Sequence, residues 1–328
     1  MSDLPRRQFA AAALLLAVFC AAPLIADEFH LSVMALVFLF AYVGIAWNIM
    51  MGFAGLLSLG HALFFGIGGY VVAVLTERYE ITPWLGMIPA FVLPAALGAA
   101  IGALGFRFSV RGTYFALLTI AFAELARILF EHWEFVGKTG GFFLKAVTQD
   151  NDPLLSLRGG AHFFYYALLA LLAAGWIGSM LLLRSRIGYC WRAIREDEDA
   201  ARALGVSAFR LKLLAVAISG GLTGVGGGWF ALMAGSLFPE TMFGMRMSIE
   251  MIVAPIVGGL GTLFGPILGA LIIVPLHEIA RDAAQKFSIN GLNLLIYGLL
   301  LMAVVIAAPN GCWPWVAGKL GLAGQEPR

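Results

Sequence analysis

The chain predicts an all-α fold of the polytopic membrane class, folded as one integral-membrane domain over residues 1–328. Three features of the sequence lead there. Of its residues 61% are hydrophobic and only 12% charged, against about 25% charged in ordinary soluble domains. Runs without Asp, Glu, Lys or Arg recur, among them Leu31–Thr76, Gly159–Leu183 and Leu213–Pro239, each long enough for one or two crossings of about 20 residues. Forty glycines, many at four-residue spacing, suit helices packed backbone to backbone in lipid. A formal net charge of +2 gives no ground for a nucleic-acid partner. Cys20, Cys190 and Cys312 are far apart with no Cys-x-x-Cys, and the five histidines have no ligand spacing, so neither a disulfide framework nor a metal or other cofactor is expected.

In chain order, Arg6 and Arg7 precede an uncharged run from Gln8 to Ala26. It reads as a first span with its N-terminus inside, although its charged start and Ala-rich end also resemble a signal peptide, and Arg-Arg-Gln-Phe faintly resembles a twin-Arg signal. Leu31–Thr76 holds two crossings, and its middle runs from Asn48 through Gly52, Gly55, Ser58 and Gly60 to His61. Glycine mixed with Asn, Ser and His there marks a broken helix or a turn between helices, and broken backbone at membrane depth must lie against protein or a water-filled cavity. Glu77–Glu80 reads as a short outer loop, Pro83–Phe106 as a span, and Arg107 and Arg111 as its inner flank.

Gly112–Trp133 carries Glu124, Arg127 and Glu131 on one helix face. A mid-span carboxylate is a functional candidate by default, with a structural pair to Arg127 as the plain alternative. Residues 132–161 form the longest extracytoplasmic segment. Gly137-Lys138-Thr139 within it lacks the upstream glycine of a phosphate loop, which excludes nucleotide binding there. His162–Leu183 and Leu213–Ser236 are spans, the second with Gly220, Gly224 and Gly228 spaced for tight packing. Ser248–His277 is interrupted at Val257–Ala270, which holds Gly258, Gly259, Gly261, Gly265, Pro266 and Gly269 and echoes the Gly52–Gly60 stretch. Paired glycine-interrupted segments point to an internal repeat with a transport path between its halves. Phe287–Ala308 is the last span, and the total is roughly nine or ten crossings of about 20 residues.

Between two of these spans lies a basic island, Arg184–Lys212, with seven of the chain's 21 Lys and Arg. Basic loops stay on the cytoplasmic side. The spacing predicts one helix over Tyr189–Leu204, with Ile194, Asp197, Ala201 and Leu204 on one face, a stop at Gly205 and a new cap at Ser207.

Asp199-Ala200-Ala201 through Gly205 resembles the acidic-Ala-Ala-x-x-x-Gly loop of ABC-importer permeases, with Asp in place of the usual Glu and without the Leu-Pro that often follows. Together with Asn48 to Ala62, Arg111 to Thr119, Gly188 to Glu196 and Gly258 to Gly269, it resembles the permease family of branched-chain amino-acid ABC importers, of the LivM type. The resemblance implies a multi-pass permease of the bacterial inner (plasma) membrane that catalyses no bond chemistry and needs no cofactor. Its implied partners are ATPase subunits, a second homologous permease, an extracytoplasmic solute-binding protein and membrane lipid. Residues 184–212 become a cytoplasmic coupling loop, with Arg192, Arg195, Glu196, Asp199, Ala200, Ala201 and Gly205 as contacts to the ATPase. Asn48, Gly52, Ser58, His61, Tyr114, Thr119, Glu124, Gly258 and Gly259 are the candidates for the translocation path.

The implied solute is a branched-chain or related amino acid, with urea, short amides or aromatic compounds carried by relatives. An ion-gradient-driven secondary transporter using Glu124 and Glu250 is a separate class. A membrane enzyme is disfavoured, since no catalytic His/Asp/Glu cluster or nucleophile elbow is present.

Overall fold

A computed structural model describes residues 15–24, 26–145, 157, 159–287, 298–299, 302, 306, 308 and 311–319. The described residues are mostly helical, with one two-stranded clasp among them. In order, the elements are α1 (Glu28–Asn48), α2 (Ala62–Tyr79), α3 (Pro83–Arg107), α4 (Thr113–His132), β1 (Phe142–Phe143), α5 (Ala161–Arg184), α6 (Arg186–Glu196), α7 (Glu198–Ala203), α8 (Ala208–Ala234), β2 (Ser236–Leu237), α9 (Pro239–Phe243), α10 (Met245–Gly258), α11 (Gly265–Phe287) and α12 (Cys312–Lys319). Among the described residues, six helical segments are long and apolar enough to cross a bilayer. The roughly nine or ten crossings expected would also take in α2 and α11, which are long but carry charges near their C-terminal ends, and segments outside the described residues. The first expected span is described only from residue 15, and the last, Phe287–Ala308, lies almost wholly outside the described residues.

α1 is apolar on every side because it is surrounded. Every residue from Val37 to Asn48 is buried, with α5, α8, α10 and α11 packed around it. α8 is the second central rod, lying against α3 and α2 along much of its length. Its glycines permit that approach. A Cβ on Gly224 would stand 2.1 Å from the Ala90 carbonyl oxygen of α3, and one on Gly227 would stand 1.9 Å from the Phe65 carbonyl oxygen of α2. Side chains at those positions would force the backbones apart. The packing role expected of the Gly220–Gly228 stripe is therefore met on two helices at once.

At one end of the bundle β1 pairs antiparallel with β2, Phe142 opposite Leu237 and Phe143 opposite Ser236. Leu144 N–H extends the clasp by donating to Gly235 O at 2.9 Å. Residues 132–145 are thereby tied to the α8–α9 turn, while residues 146–156 and 158 lie outside the described residues. Glu77–Tyr79, expected in a loop, are the last turn of α2, and the polar stretch from His277 belongs to α11.

The island departs from the single helix expected over Tyr189–Leu204. It is two helices, broken at Asp197, whose extended backbone lets its carboxylate accept from Asp199 N–H and Ala200 N–H, each at 2.9 Å. Aspartate is a strong N-cap, and capping a new helix outcompeted continuing the old one. The expected stop at Gly205 is present, with φ +84.

Candidate functional site

The two glycine-bearing interruptions meet at one end of the molecule. After Asn48, α1 passes through a π-turn, Ile49–Phe53, and then runs without regular structure to His61. The second interruption, residues 259–264, separates α10 from α11. Asn48 joins them: its Nδ2 donates to Thr262 O at 2.9 Å, and its Oδ1 accepts from Gly261 N–H at 2.9 Å. One buried amide therefore uses a donor and an acceptor across more than two hundred residues of sequence.

Arg195, in the last turn of α6, reaches the same point. Its guanidinium donates to the Gly52 carbonyl. Its stem runs along Gly55, where an added Cβ would lie 3.1 Å from Arg195 Cγ, and its Nη1 lies 2.7 Å from where a Cβ on Gly261 would stand. Hence one side chain of the island touches both interruptions, beside a cavity of about 180 Å³ that Arg111, Glu198 and Lys212 also line.

Glu198 holds the island onto the helical bundle. It pairs with Lys212 of α8 at 2.8 Å, with Arg202 of its own helix, and with Arg111 ahead of α4 at 3.9 Å. Burial opposes its ionisation, but the Lys212 hydrogen bond and the nearby charges of Lys212, Arg202 and Arg111 prevail and hold its carboxyl below the usual range. Lys212 also lies 4.8 Å from the Phe106 ring centroid. Trp191, fully buried, donates from Nε1 to Leu211 O at 2.8 Å.

The island therefore has an inner and an outer face. Ile194, Ala201 and Ala208 form its small core, with Ala201 only 3% exposed. Leu204, expected on that same inner face, is 85% exposed instead. The break at Asp197 reorients the second helix and turns Leu204 outward beside the exposed Ala200 and Ala203. Arg192 lies over the Tyr189 ring at 4.8 Å, Asp199 pairs with Arg202 at 3.5 Å and Arg111 at 3.8 Å, and Glu196 and Gly205 are exposed.

The irregular run ahead of α2 is laced to its surroundings rather than open. His61 Nδ1 lies 3.0 Å from Ser58 Oγ, and its Nε2 lies 2.9 Å from Ser219 Oγ, which itself donates to Ala46 O at 2.7 Å. With the Ser219 proton committed to Ala46, Nε2 is the donor and Nδ1 the acceptor. Thr119 Oγ1 accepts from Leu59 and Gly60 N–H, each at 3.2 Å, Trp47 Nε1 donates to Ser58 O at 2.9 Å, and Ala62 N–H donates to Ser248 Oγ at 3.0 Å. Asn48, Ser58, His61 and Thr119 are all buried and hydrogen-bonded to their surroundings. Gly258 packs on Gly265, where an added Cβ would lie 1.7 Å from the carbonyl oxygen, and Gly259 has φ +127. Tyr114 is 73% exposed.

Glu124 belongs elsewhere. With Arg127 it lines a cavity of about 860 Å³ together with residues of α9, α10 and α11. α4 begins at Thr113, close to Arg111 at the island end, so Glu124 lies about 17 Å further along at 1.5 Å per residue. α10 likewise begins at the cavity and ends at the junction. Cavity and island thus occupy different levels of the same bundle. Sequence reasoning missed Glu198, Lys212, Arg111, Ser219 and Ser248. The i, i+4 spacing of Glu198 and Arg202 was a visible signal, while the others gain their roles only through long-range packing.

A family model described as "Branched-chain amino acid transport system / permease component" matches residues 29–305. The chain belongs to this family. The permease is similar to the high-affinity branched-chain amino acid transport system permease protein LivM of Escherichia coli, at 30% identity over 98% of this chain and 78% of the relative. LivM of Salmonella typhimurium is equally similar, at 30% identity over the whole of this chain and 79% of the relative. A probable branched-chain amino acid transport permease protein LivH of Methanocaldococcus jannaschii is 28% identical over 75% of this chain and 79% of its own. No solved structure matches. Family and helices together make the chain a multi-pass membrane permease.

Proposed function

We propose that the permease is the membrane subunit of an ATP-driven importer for branched-chain or related amino acids, set in the bacterial inner membrane. ATP hydrolysis is carried out by separate ATPase subunits on the cytoplasmic side. A second homologous permease completes the membrane part, and an extracytoplasmic binding protein delivers solute. Urea, short amides or aromatic compounds are the alternative cargoes of the same machinery.

The observation that carries this reading is the reach of Arg195 from the island to both interruptions of the bundle. A force applied to the outer face of α7, through Ala200, Ala203 and Leu204, passes along the short α6 helix to the junction that Asn48 closes. Nucleotide in the ATPases then biases the bundle between two packings. Glu124 and Glu250 support the coupling reading over an ion-gradient one, because each already has an arginine partner, Arg127 and Arg246.

The test is Leu204→Asp in the reconstituted assembly. An aspartate in the apolar centre of a docking face should abolish uptake and release the ATPase subunits, with the permease still inserted. Uptake at the wild-type rate would remove the island from the coupling path. Ala201→Trp is the poorer test, since Ala201 faces the island's own core.

A further inference from the structure

The cavity of about 860 Å³ is within the range of small-molecule sites and larger than one amino acid needs. Its wall is of two kinds. Phe40, Phe230, Ile273 and Val274 form an apolar side. The remainder carries both signs of charge on four elements: Glu124 and Arg127 on α4, Glu240 on α9, Arg246 and Glu250 on α10, and Glu278 and Arg281 on α11. Most of these charges already satisfy each other. Arg127 is held by Glu124 and Glu131, and Arg281 pairs with Glu278 at 3.0 Å.

Two groups stand apart. Glu240 is exposed and makes no ion pair or side-chain hydrogen bond among the described residues. Arg246 donates its Nε to Glu250 at 3.0 Å and its Nη2 lies 3.4 Å from His277 Nε2; it lines the cavity with 60% of its side chain exposed. Glu240 and Arg246 flank the turn at Gly244, so the chain presents one carboxylate and one incompletely used guanidinium at the rim of the same apolar-walled space.

We propose that this cavity is a binding site for an α-amino acid zwitterion, with the solute carboxylate on Arg246, its ammonium on Glu240 and its aliphatic side chain against Phe40, Phe230, Ile273 and Val274. The proposal rests on the amino-acid importer reading and assigns that reading a site. A zwitterion satisfies both groups by charge-assisted hydrogen bonds. A solute with only one of the two charges forgoes one of these charge-assisted bonds and binds more weakly. The remaining lining charges are three carboxylates, Glu124, Glu250 and Glu278, against two guanidiniums, Arg127 and Arg281, so net anions are not concentrated there.

The experiment uses the whole assembly in nanodiscs, without binding protein, and measures equilibrium binding of radiolabelled leucine. Competition is by 4-methylvalerate, which lacks the ammonium, and 3-methylbutylamine, which lacks the carboxylate. In the wild type both analogues should compete about tenfold or more weakly than leucine. Glu240→Gln should weaken leucine about tenfold while leaving 4-methylvalerate unchanged, and Arg246→Gln should weaken leucine while leaving 3-methylbutylamine unchanged. A merely structural role for either residue would weaken all three ligands together and overturn the proposal. So would leucine binding unchanged in both variants, or no saturable leucine binding by the wild type. Leucine uptake by the complete wild-type system is measured alongside. If uptake occurs and the binding pattern fails, only the site is wrong, whereas absent uptake removes the importer reading and the site with it.

Discussion

The guanidinium of Arg195 donates to the backbone carbonyl of Gly52, a residue 143 positions earlier in the chain. A loop outside the apolar bundle is thereby bonded to the point where α1 loses its helical course. Gly52 has no room for a side chain, since an added Cβ would lie 2.0 Å from Asn48 Oδ1 and 2.8 Å from Gly261 N. Island, first interruption and second interruption thus share a single contact region.

Removing that bond should uncouple the molecule more than it destabilises it. Arg195→Ala is expected to lower uptake at least tenfold relative to ATP hydrolysis, with the assembly still formed, because Arg195 is exposed overall and belongs to no apolar core cluster. Arg195→Lys should recover only part of the loss, since an ammonium lacks the planar fork. The ratio of solute moved to ATP hydrolysed in proteoliposomes checks both; an unchanged ratio in the alanine variant contradicts the role.

Glu198 governs how firmly the island is seated. Its pairing with Lys212, whose side chain is 8% exposed, means that Glu198→Ala leaves a nearly buried ammonium without its carboxylate. The expected loss is about 1.5–3 kcal/mol, read as a lower melting temperature of the detergent-solubilised permease. The pH dependence follows from the lowered carboxyl pKa. A depressed folded-state value contributes stability that is complete above the unfolded value of about 4.3 and disappears as pH falls through the folded value. The gap between wild type and Glu198→Gln should therefore be widest near neutrality and close in acid; a gap that grows on acidification would reverse the assignment.

Much of this was legible in the chain. The membrane class follows from uncharged runs, the packing stripe of α8 from glycine spacing, and the helix stop at Gly205 from residue type alone. The break at Asp197 was less so, because an acidic residue mid-run reads equally as helix surface or as a cap. The site was legible in part. Asn48, Ser58, His61 and Thr119 stood out as polar residues in apolar surroundings, yet polarity alone does not separate a lining residue from a buried connector. What polarity could not show were their partners across large separations, such as His61 to Ser219 and Asn48 to Thr262. Glu240 and Arg246 carried no signal in sequence, since a charged residue near a helix start resembles any other.

The contacts of α8 allow a paired glycine test. Gly227→Ala would bring a methyl carbon to 1.9 Å from the Phe65 carbonyl oxygen, a clash with backbone that only separation of α8 from α2 relieves. Loss of folded permease, seen as aggregation on size-exclusion chromatography, is expected. Gly178→Ala on α5 meets nothing within 4 Å and should be neutral or stabilising by up to about 1 kcal/mol through helix propensity. Equal behaviour of the two variants would mean that the close approach of α2 and α8 is absent in solution.

Asn48 offers the sharpest chemical test of the junction. Its amide donates to Thr262 O and accepts from Gly261 N–H, both at 2.9 Å, and the side chain is 1% exposed. Asn48→Asp keeps the shape and the acceptor but removes the donor, turning Nδ2–H···O into an oxygen facing an oxygen and adding a buried charge without a counter-ion. Asn48→Ala removes both bonds and leaves the Gly261 N–H and Thr262 carbonyl to find other partners. Each unmade bond at a buried group costs about 1–3 kcal/mol, and an added unpaired charge costs more. The aspartate variant should therefore be the worse of the two in thermal stability, although it is the closer in shape. If it were the milder, the amide would not be bridging the two interruptions, and the link from Arg195 to α11 would have to run through Gly261 alone.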